Sequence, residues 1–134
     1  MTNEIEKVNV AILAMPEIAA STLYGMYDLF ASAGRDWSFL MKGVLGESRM
    51  RPYVVSAHQP GFYAVNNIWV RPDYSLDDCP APAIVCVPDF FIAPGESCAG
   101  RYDIEVAWLR KCHGAGATLA STCAGTLLPA EAGM

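Results

Sequence analysis

The sequence predicts a three-layer α/β/α sandwich built around a mostly parallel sheet. Short, nearly unbroken aliphatic runs recur at 8–14, 53–57, 83–87 and 117–121, and runs of this kind are how strands covered on both faces read. Segments with apolar residues at helical spacing lie between and after them. The links are short, and strand–helix alternation with short links implies parallel strands with helices on both faces.

In the first run Val8, Val10, Ile12 and Leu13 supply the β-branched and aliphatic character expected of a central strand. Met15-Pro16-Glu17 ends it. Leu23, Met26, Tyr27 and Phe30 then share a helical face that stops at Gly34. Ser21 and Thr22, at or before the first turn, either cap backbone donors or point into a site at the strand's end. Residues 35–50 place Arg35, Asp36, Lys42, Glu47, Ser48 and Arg49 around Gly43 and Gly46, which reads as a solvated connection. Within 62–70 two short runs flank Asn66-Asn67, a dipeptide that tolerates positive φ and so predicts a tight hairpin. Asp77-Asp78 and Pro80-Ala81-Pro82 punctuate the chain before the next buried strand. Residues 88–100 read as a loop made apolar by Phe90, Phe91 and Ile92. Over 102–112, Asp103 and Glu105 open a helix and Arg110 and Lys111 close it, with Ile104, Ala107, Trp108 and Cys112 on one face and Gly114 as the stop. A strand of small residues at 117–121 runs directly into a helix over 124–132.

Composition narrows the function classes. At 134 residues, 53% hydrophobic and 17% charged, the chain fits one compact domain able to bury about two thirds of its unfolded surface. No apolar run approaches the about 20 residues of a membrane-crossing helix. Glu4 and Glu6 stand where a secretory signal would carry bases; the expected location is cytoplasmic, with no membrane partner. A net charge of −5 with scattered bases argues against direct contact with nucleic acid. The five cysteines are odd in number and contain no C-x-x-C, which suggests neither a disulfide framework nor a zinc site. Cys112 and His113 are adjacent, and adjacent residues rarely converge on one ion. Neither a metal nor a cofactor is expected.

The chemistry concentrates between Gly116 and Thr126. There Cys123 stands between a buried strand and a helix, among Ala120, Ser121, Thr122, Ala124 and Gly125. A nucleophile elbow needs this: the turn is tight, its central residue is strained, and bulky neighbours clash. Unpaired amides at the following helix's start favour negative charge on sulfur, so Cys123 is expected to form a thiolate more readily than the other four cysteines. The spacing by itself is also what an inert core cysteine at a strand end would show.

The run Ser121-Thr122-Cys123-Ala124-Gly125-Thr126-Leu127-Leu128-Pro129-Ala130-Glu131-Ala132-Gly133 resembles the elbow and helix of the ThiJ/PfpI, class I glutamine-amidotransferase-like superfamily. More narrowly, it is similar to the amidase-like N-terminal domain of AraC-type transcriptional regulators. Ala20-Ser21-Thr22-Leu23-Tyr24-Gly25-Met26-Tyr27-Asp28-Leu29-Phe30 resembles their first helix. Arg101-Tyr102-Asp103, Val106-Ala107-Trp108-Leu109-Arg110 and Gly114-Ala115-Gly116-Ala117 resemble the helix and strand before the elbow. The resemblance spans nearly the whole chain and implies a flavodoxin-like fold over residues 1–134. It also implies that the C-terminal part of the domain is missing after the elbow helix, which would leave a strand edge uncovered and the fragment marginal or oligomeric.

Three departures bear on the site. The superfamily's enzymes place an acidic residue near the start of the first helix, against the cysteine; Thr22 holds that place here. Glu17 is the weak candidate for an acid/base in its stead, with an exposed loop glutamate as the plainer identity. A Gly-Gly after the third strand usually offers donors to an oxyanion, whereas this chain has Pro88-Asp89-Phe90, leaving the amides of Phe90 and Phe91 as candidates. The usual histidine lies downstream of the elbow, and His58 and His113 do not match it. Both histidines, and Trp37, Trp69 and Trp108, read as structural or interface residues.

The resemblance therefore implies a small-molecule-sensing, dimerising N-terminal domain of an AraC-family transcriptional regulator. Its pocket above Cys123 would be lined by Thr22, Asp89, Phe90, Phe91, Thr122 and Ala124, at the carboxyl ends of the strands. DNA would be reached only through a C-terminal region that this sequence does not contain. The competing expectation is a cysteine-dependent hydrolase, hydratase or glyoxalase-like enzyme with Cys123 as nucleophile. A purely structural dimerisation module is the third.

Overall fold

The computed structural model describes residues 6–134. β1 (Val8–Leu13) leads into α1 (Ala20–Ser32) and α2 (Arg35–Lys42), followed by β2 (Met50–Val55), the pair β3 (Phe62–Ala64) and β4 (Ile68–Val70), and β5 (Ile84–Val87). Then come α3 (Asp103–Gly114), β6 (Thr118–Ser121), a 3-10 turn at Cys123–Thr126 and α4 (Leu127–Glu131). The main sheet has the order β2-β1-β5-β6, and each adjacent pair is parallel. The expected α/β architecture with a parallel sheet is present. β1 is central, and Val10, Ala11, Ile12 and Leu13 are wholly buried. The register sets Leu13 beside Val55, Ile12 beside Cys86 and Val87 beside Ser121. All four strands thus end along one edge, where parallel sheets hold their ligands.

The helices α1 and α3 clothe this sheet because each carries one apolar stripe. On α1, Leu23 is fully buried and Met26, Tyr27 and Phe30 pack against the core, as the spacing predicts. On α3 the buried stripe is Glu105, Trp108, Leu109 and Cys112 with Val106 beside it, while Ile104 is 66% exposed and Ala107 is also exposed. The expected face is therefore rotated by about one residue: positions 105, 108, 109 and 112 are i, i+3, i+4 and i+7, and Trp108 and Cys112 belong to both readings. Trp108 fixes the choice by donating its indole N–H to the Leu76 carbonyl at 3.0 Å.

β3 and β4 form the expected hairpin, with Ala64 paired to Ile68. Asn66 and Asn67 turn the corner at φ 64° and 60°, the left-handed region that asparagine tolerates better than most residues. Two expectations need correction. Residues 35–42 are a helix rather than a solvated connection, its ends held by Gly34 and Gly43 in left-handed geometry, which is how charged, glycine-flanked sequence forms a helix without burial. The segment 124–132 opens as a 3-10 turn and becomes α-helical only at Leu127. At the other end of the sheet β6 is an edge strand, with Thr118 and Ala120 exposed.

Candidate functional site

Cys123 adopts φ 50°, a left-handed conformation that costs a non-glycine residue about 1 kcal/mol or more and persists only where its surroundings impose it. The surroundings are specific. Thr122 N–H donates to the Val87 carbonyl at 3.1 Å, tying the end of β6 to β5, and Gly125 N–H donates to the Thr122 carbonyl at 2.9 Å, closing the turn. The hydroxyls of Ser121 and Thr126 lie 3.0 Å apart across it. Gly125 is obligatory: a Cβ there would sit 2.5 Å from the Pro88 carbonyl oxygen and closer still to that of Val87. The small-residue pattern thus has a concrete cause, the close passage of two backbones.

The turn places Cys123 at the surface. Among the five cysteines Cys123 alone is exposed. Burial pushes the Cys86 and Cys112 thiols up to about 11 and raises that of Cys79 as well, so these three resist forming thiolates.

The amide following the thiol is not vacant. Ala124 N–H donates to Asp89 Oδ1 at 3.2 Å. Asp89 is placed by a short antiparallel bridge between Ile18 and Phe90, in which Ala19 N–H donates to the Asp89 carbonyl at 3.0 Å and Phe91 N–H to the Glu17 carbonyl at 2.9 Å. The Phe91 amide, one of the two expected oxyanion donors, is therefore engaged. The Phe90 side chain is buried, edge-on to Tyr102 with ring centroids 5.4 Å apart, so any part it plays in a pocket falls to its backbone, whereas the Phe91 ring is 58% exposed.

Thr22 lies half-buried in the first turn of α1, and its amide donates to Ala19. Ala19 is the cap residue and no side chain caps this helix, so the capping role open to Ser21 and Thr22 is not taken up. Glu17 is half-buried rather than an exposed loop residue. Its Oε2, the Tyr102 hydroxyl and Thr122 Oγ1 are all buried without a hydrogen-bond partner, an unusual concentration for one end of a small domain.

Two buried polar residues escaped the sequence reading. Burial, with the Glu17 carboxylate adding to it, pushes the Tyr102 phenol up to about 12. Glu105, which sequence position marks only as a first-turn acid, is 5% exposed, with its Oε1 3.8 Å from His58 Nε2. His58 thus faces Glu105. A hint was available in the spacing, since Glu105 shares the i, i+3, i+4 stripe with Trp108 and Leu109.

The Tyr102 shift has a sign that can be checked. Its neutral form is favoured in the folded state, so the associated stability is complete below the ordinary tyrosine pKa of about 10 and is lost as pH rises from there towards 12. Tyr102→Phe is expected to leave a shallower loss of melting temperature above pH 10 than the parent shows. Equal slopes in a pH series of thermal melts would refute this.

No family model matches the sequence, and no curated protein does. Solved structures match closely in shape. A ThiJ/PfpI family protein from Pseudomonas syringae superposes with a TM-score of 0.71 at 18% identity, over 96% of this chain and 47% of its own. An AraC family transcriptional regulator from Pseudomonas putida gives 0.68 at 12%, over 94% and 61%. DJ-1beta from Drosophila melanogaster gives 0.69 at 16%, over 96% and 62%. The chain thus spans about half to two thirds of the length of these structures, and what it shares with them, from the parallel sheet to the helices packed on it, is the ThiJ/PfpI fold.

Proposed function

We propose that this chain is the small-molecule-sensing part of a transcriptional regulator of the AraC type, and that Cys123 marks its ligand site without acting as a nucleophile in turnover. The observation that carries this reading is the Ala124 N–H to Asp89 Oδ1 hydrogen bond. Acyl-transfer chemistry at an elbow needs the amide after the nucleophile for the developing oxyanion, and here a carboxylate already holds it. A fixed negative charge at that point opposes a second one. The likeness in fold to an AraC family regulator supports the same reading.

In this proposal the ligand sits above Cys123, among Thr22, Asp89, Phe91, Thr122 and Ala124, the domain acts as a homodimer in the cytoplasm, and DNA is contacted by a separate C-terminal region. The exposed edge strand β6 is covered, in the whole protein, by further parts of the same α/β domain.

The competing enzyme reading draws on one specific feature, the exposed thiol at positive φ. Assays with small amides, isonitriles and reactive aldehydes separate the two: no turnover above background is expected, and a rate abolished by Cys123→Ser would decide for the enzyme. Under either reading, brief iodoacetamide treatment of the native protein is expected to label a single thiol, as counted by mass spectrometry, with that label lost in Cys123→Ser. Rapid labelling elsewhere would contradict the exposure pattern.

A further inference from the structure

A polar corner lies at the carboxyl ends of β1 and β2, against the start of α3. It gathers Glu17 from the link after β1, His58 from the link after β2, and Tyr102 and Glu105 from the opening of α3. Tyr102 is 5% exposed and its hydroxyl has no hydrogen-bond partner, nor has the buried Oε2 of Glu17. The phenol feels both carboxylates: after burial itself, Glu17 and then Glu105 push it up, although no hydrogen-bond geometry joins it to either. Fixed positive charge is scarce here. The His58 side chain is 46% exposed, and its Nε2 stands 3.8 Å from Glu105 Oε1, beyond hydrogen-bond reach. Arg101 lies 5.8 Å from the Tyr102 ring centroid, but it donates to Glu96 Oε2 at 2.9 Å. Among the described residues no lysine or arginine forms an ion pair with Glu17 or Glu105. The start of α3 offsets part of the cost at Glu105; Glu17, in a link, has no such support. Buried rings stand beside the corner, Phe90 edge-on to Tyr102 and Phe62 edge-on to His58, and apolar surroundings make uncompensated charge more costly.

We infer that this corner is a binding site for an organic cation, a small molecule whose ammonium or guanidinium group donates to Glu17 Oε2 and the Tyr102 hydroxyl in the field of Glu105. The site shares no side chain with the pocket proposed above Cys123 and depends on neither the sensing role nor the dimer. Charge and hydrogen-bonding capacity both select such a ligand. Two carboxylates in a partly desolvated corner repel one another and leave acceptors unmet, and a cation carrying several N–H donors answers both needs. A neutral or anionic ligand leaves the charge uncompensated. An inorganic ion is the poorer fit, since among the described residues no three ligating side chains converge on one point. The net charge of −5 draws cations towards the chain.

Isothermal titration calorimetry of the full chain, in about 0.15 M salt to screen surface charge, tests this with butylamine and butylguanidine against butanol and butyrate. Each cation is expected to bind once per chain with a Kd of about 1 mM or tighter, and butanol and butyrate are expected not to bind. Glu17→Gln keeps the shape and removes the charge. It should weaken both cations about tenfold or more, the worth of one charge-assisted hydrogen bond, and Tyr102→Phe should weaken them by less. Asp103→Asn neutralises an exposed acid in the same first turn of α3 and should change nothing. The melting temperature gives a reading that needs no ligand: Glu17→Gln is expected to melt no lower than the parent, because it relieves a charge that the fold does not compensate. A lower melting temperature would show that the fold's own contacts hold the Glu17 carboxylate, and would overturn the inference. So would the absence of binding by either cation, equal binding of butanol, or an equal loss in Asp103→Asn.

Discussion

Gly125→Ala is expected to cost about 3 kcal/mol or to prevent folding, a large effect for one methyl group. The added Cβ would meet the carbonyl oxygens of both Val87 and Pro88, and these are backbone atoms with little room to move. Val87 accepts from Thr122 N–H, and Pro88 is a buried ring at the end of the central sheet. Relief would require the elbow to lift off β5, breaking the bond that places Cys123. Gly114→Ala is the matched control. It lies at the end of α3, nothing stands within 4 Å of its added Cβ, and alanine is the better helix former, so a change within about 1 kcal/mol is expected there. Urea denaturation of both variants checks the pair. If Gly125→Ala retained stability within about 1 kcal/mol of the parent, the account of how the turn is held would fail.

Where the chain's own periodicity and local backbone chemistry determine structure, the sequence was readable. The unbroken aliphatic character of β1 and β5 marked them as buried, because a strand covered on both faces has no polar side to show. Asn66-Asn67 announced its corner because few other residues accept φ near 60° twice in succession. Cys123 reads as the centre of a tight turn because its small neighbours leave room for another backbone, and it takes φ 50° in such a turn. Reading failed where the cause lies outside the segment. Residues 35–42 read as a solvated connection because their charges and flanking glycines leave no buried apolar stripe to find; the helix rests on two left-handed glycine ends rather than on burial. Glu105 reads as a solvated first-turn acid despite sharing the buried stripe of Trp108 and Leu109, because the group that faces it, His58, stands 47 positions earlier in the chain. Asp89 reads from the sequence as a pocket residue, but its hold on the Ala124 amide depends on the bridge between Ile18 and Phe90, a pairing across 72 positions that no local pattern encodes.

Asp89→Ala is expected to accelerate alkylation of Cys123 roughly tenfold, because it removes a carboxylate from the elbow and frees a backbone donor that then stabilises negative charge on sulfur; one charge-assisted hydrogen bond, about 1.5–3 kcal/mol, is ample for that factor. Asp89→Asn separates the two contributions. Its side-chain oxygen can still accept from Ala124 N–H at the 3.2 Å of the parent contact, but carries no charge. If charge dominates, Asn and Ala behave alike. If occupation of the amide dominates, Asn resembles the parent and only Ala gains. The same substitution bears on function, because a freed amide restores what an oxyanion needs at an elbow. Under the sensing proposal, Asp89→Ala is the variant in which slow, Cys123-dependent hydrolysis of an activated ester should first become measurable, as a burst of one acyl group per chain. Unchanged alkylation in both variants would mean that the Asp89 carboxylate does not govern the thiol. The argument for a site arranged to bind rather than turn over would then lose its physical basis.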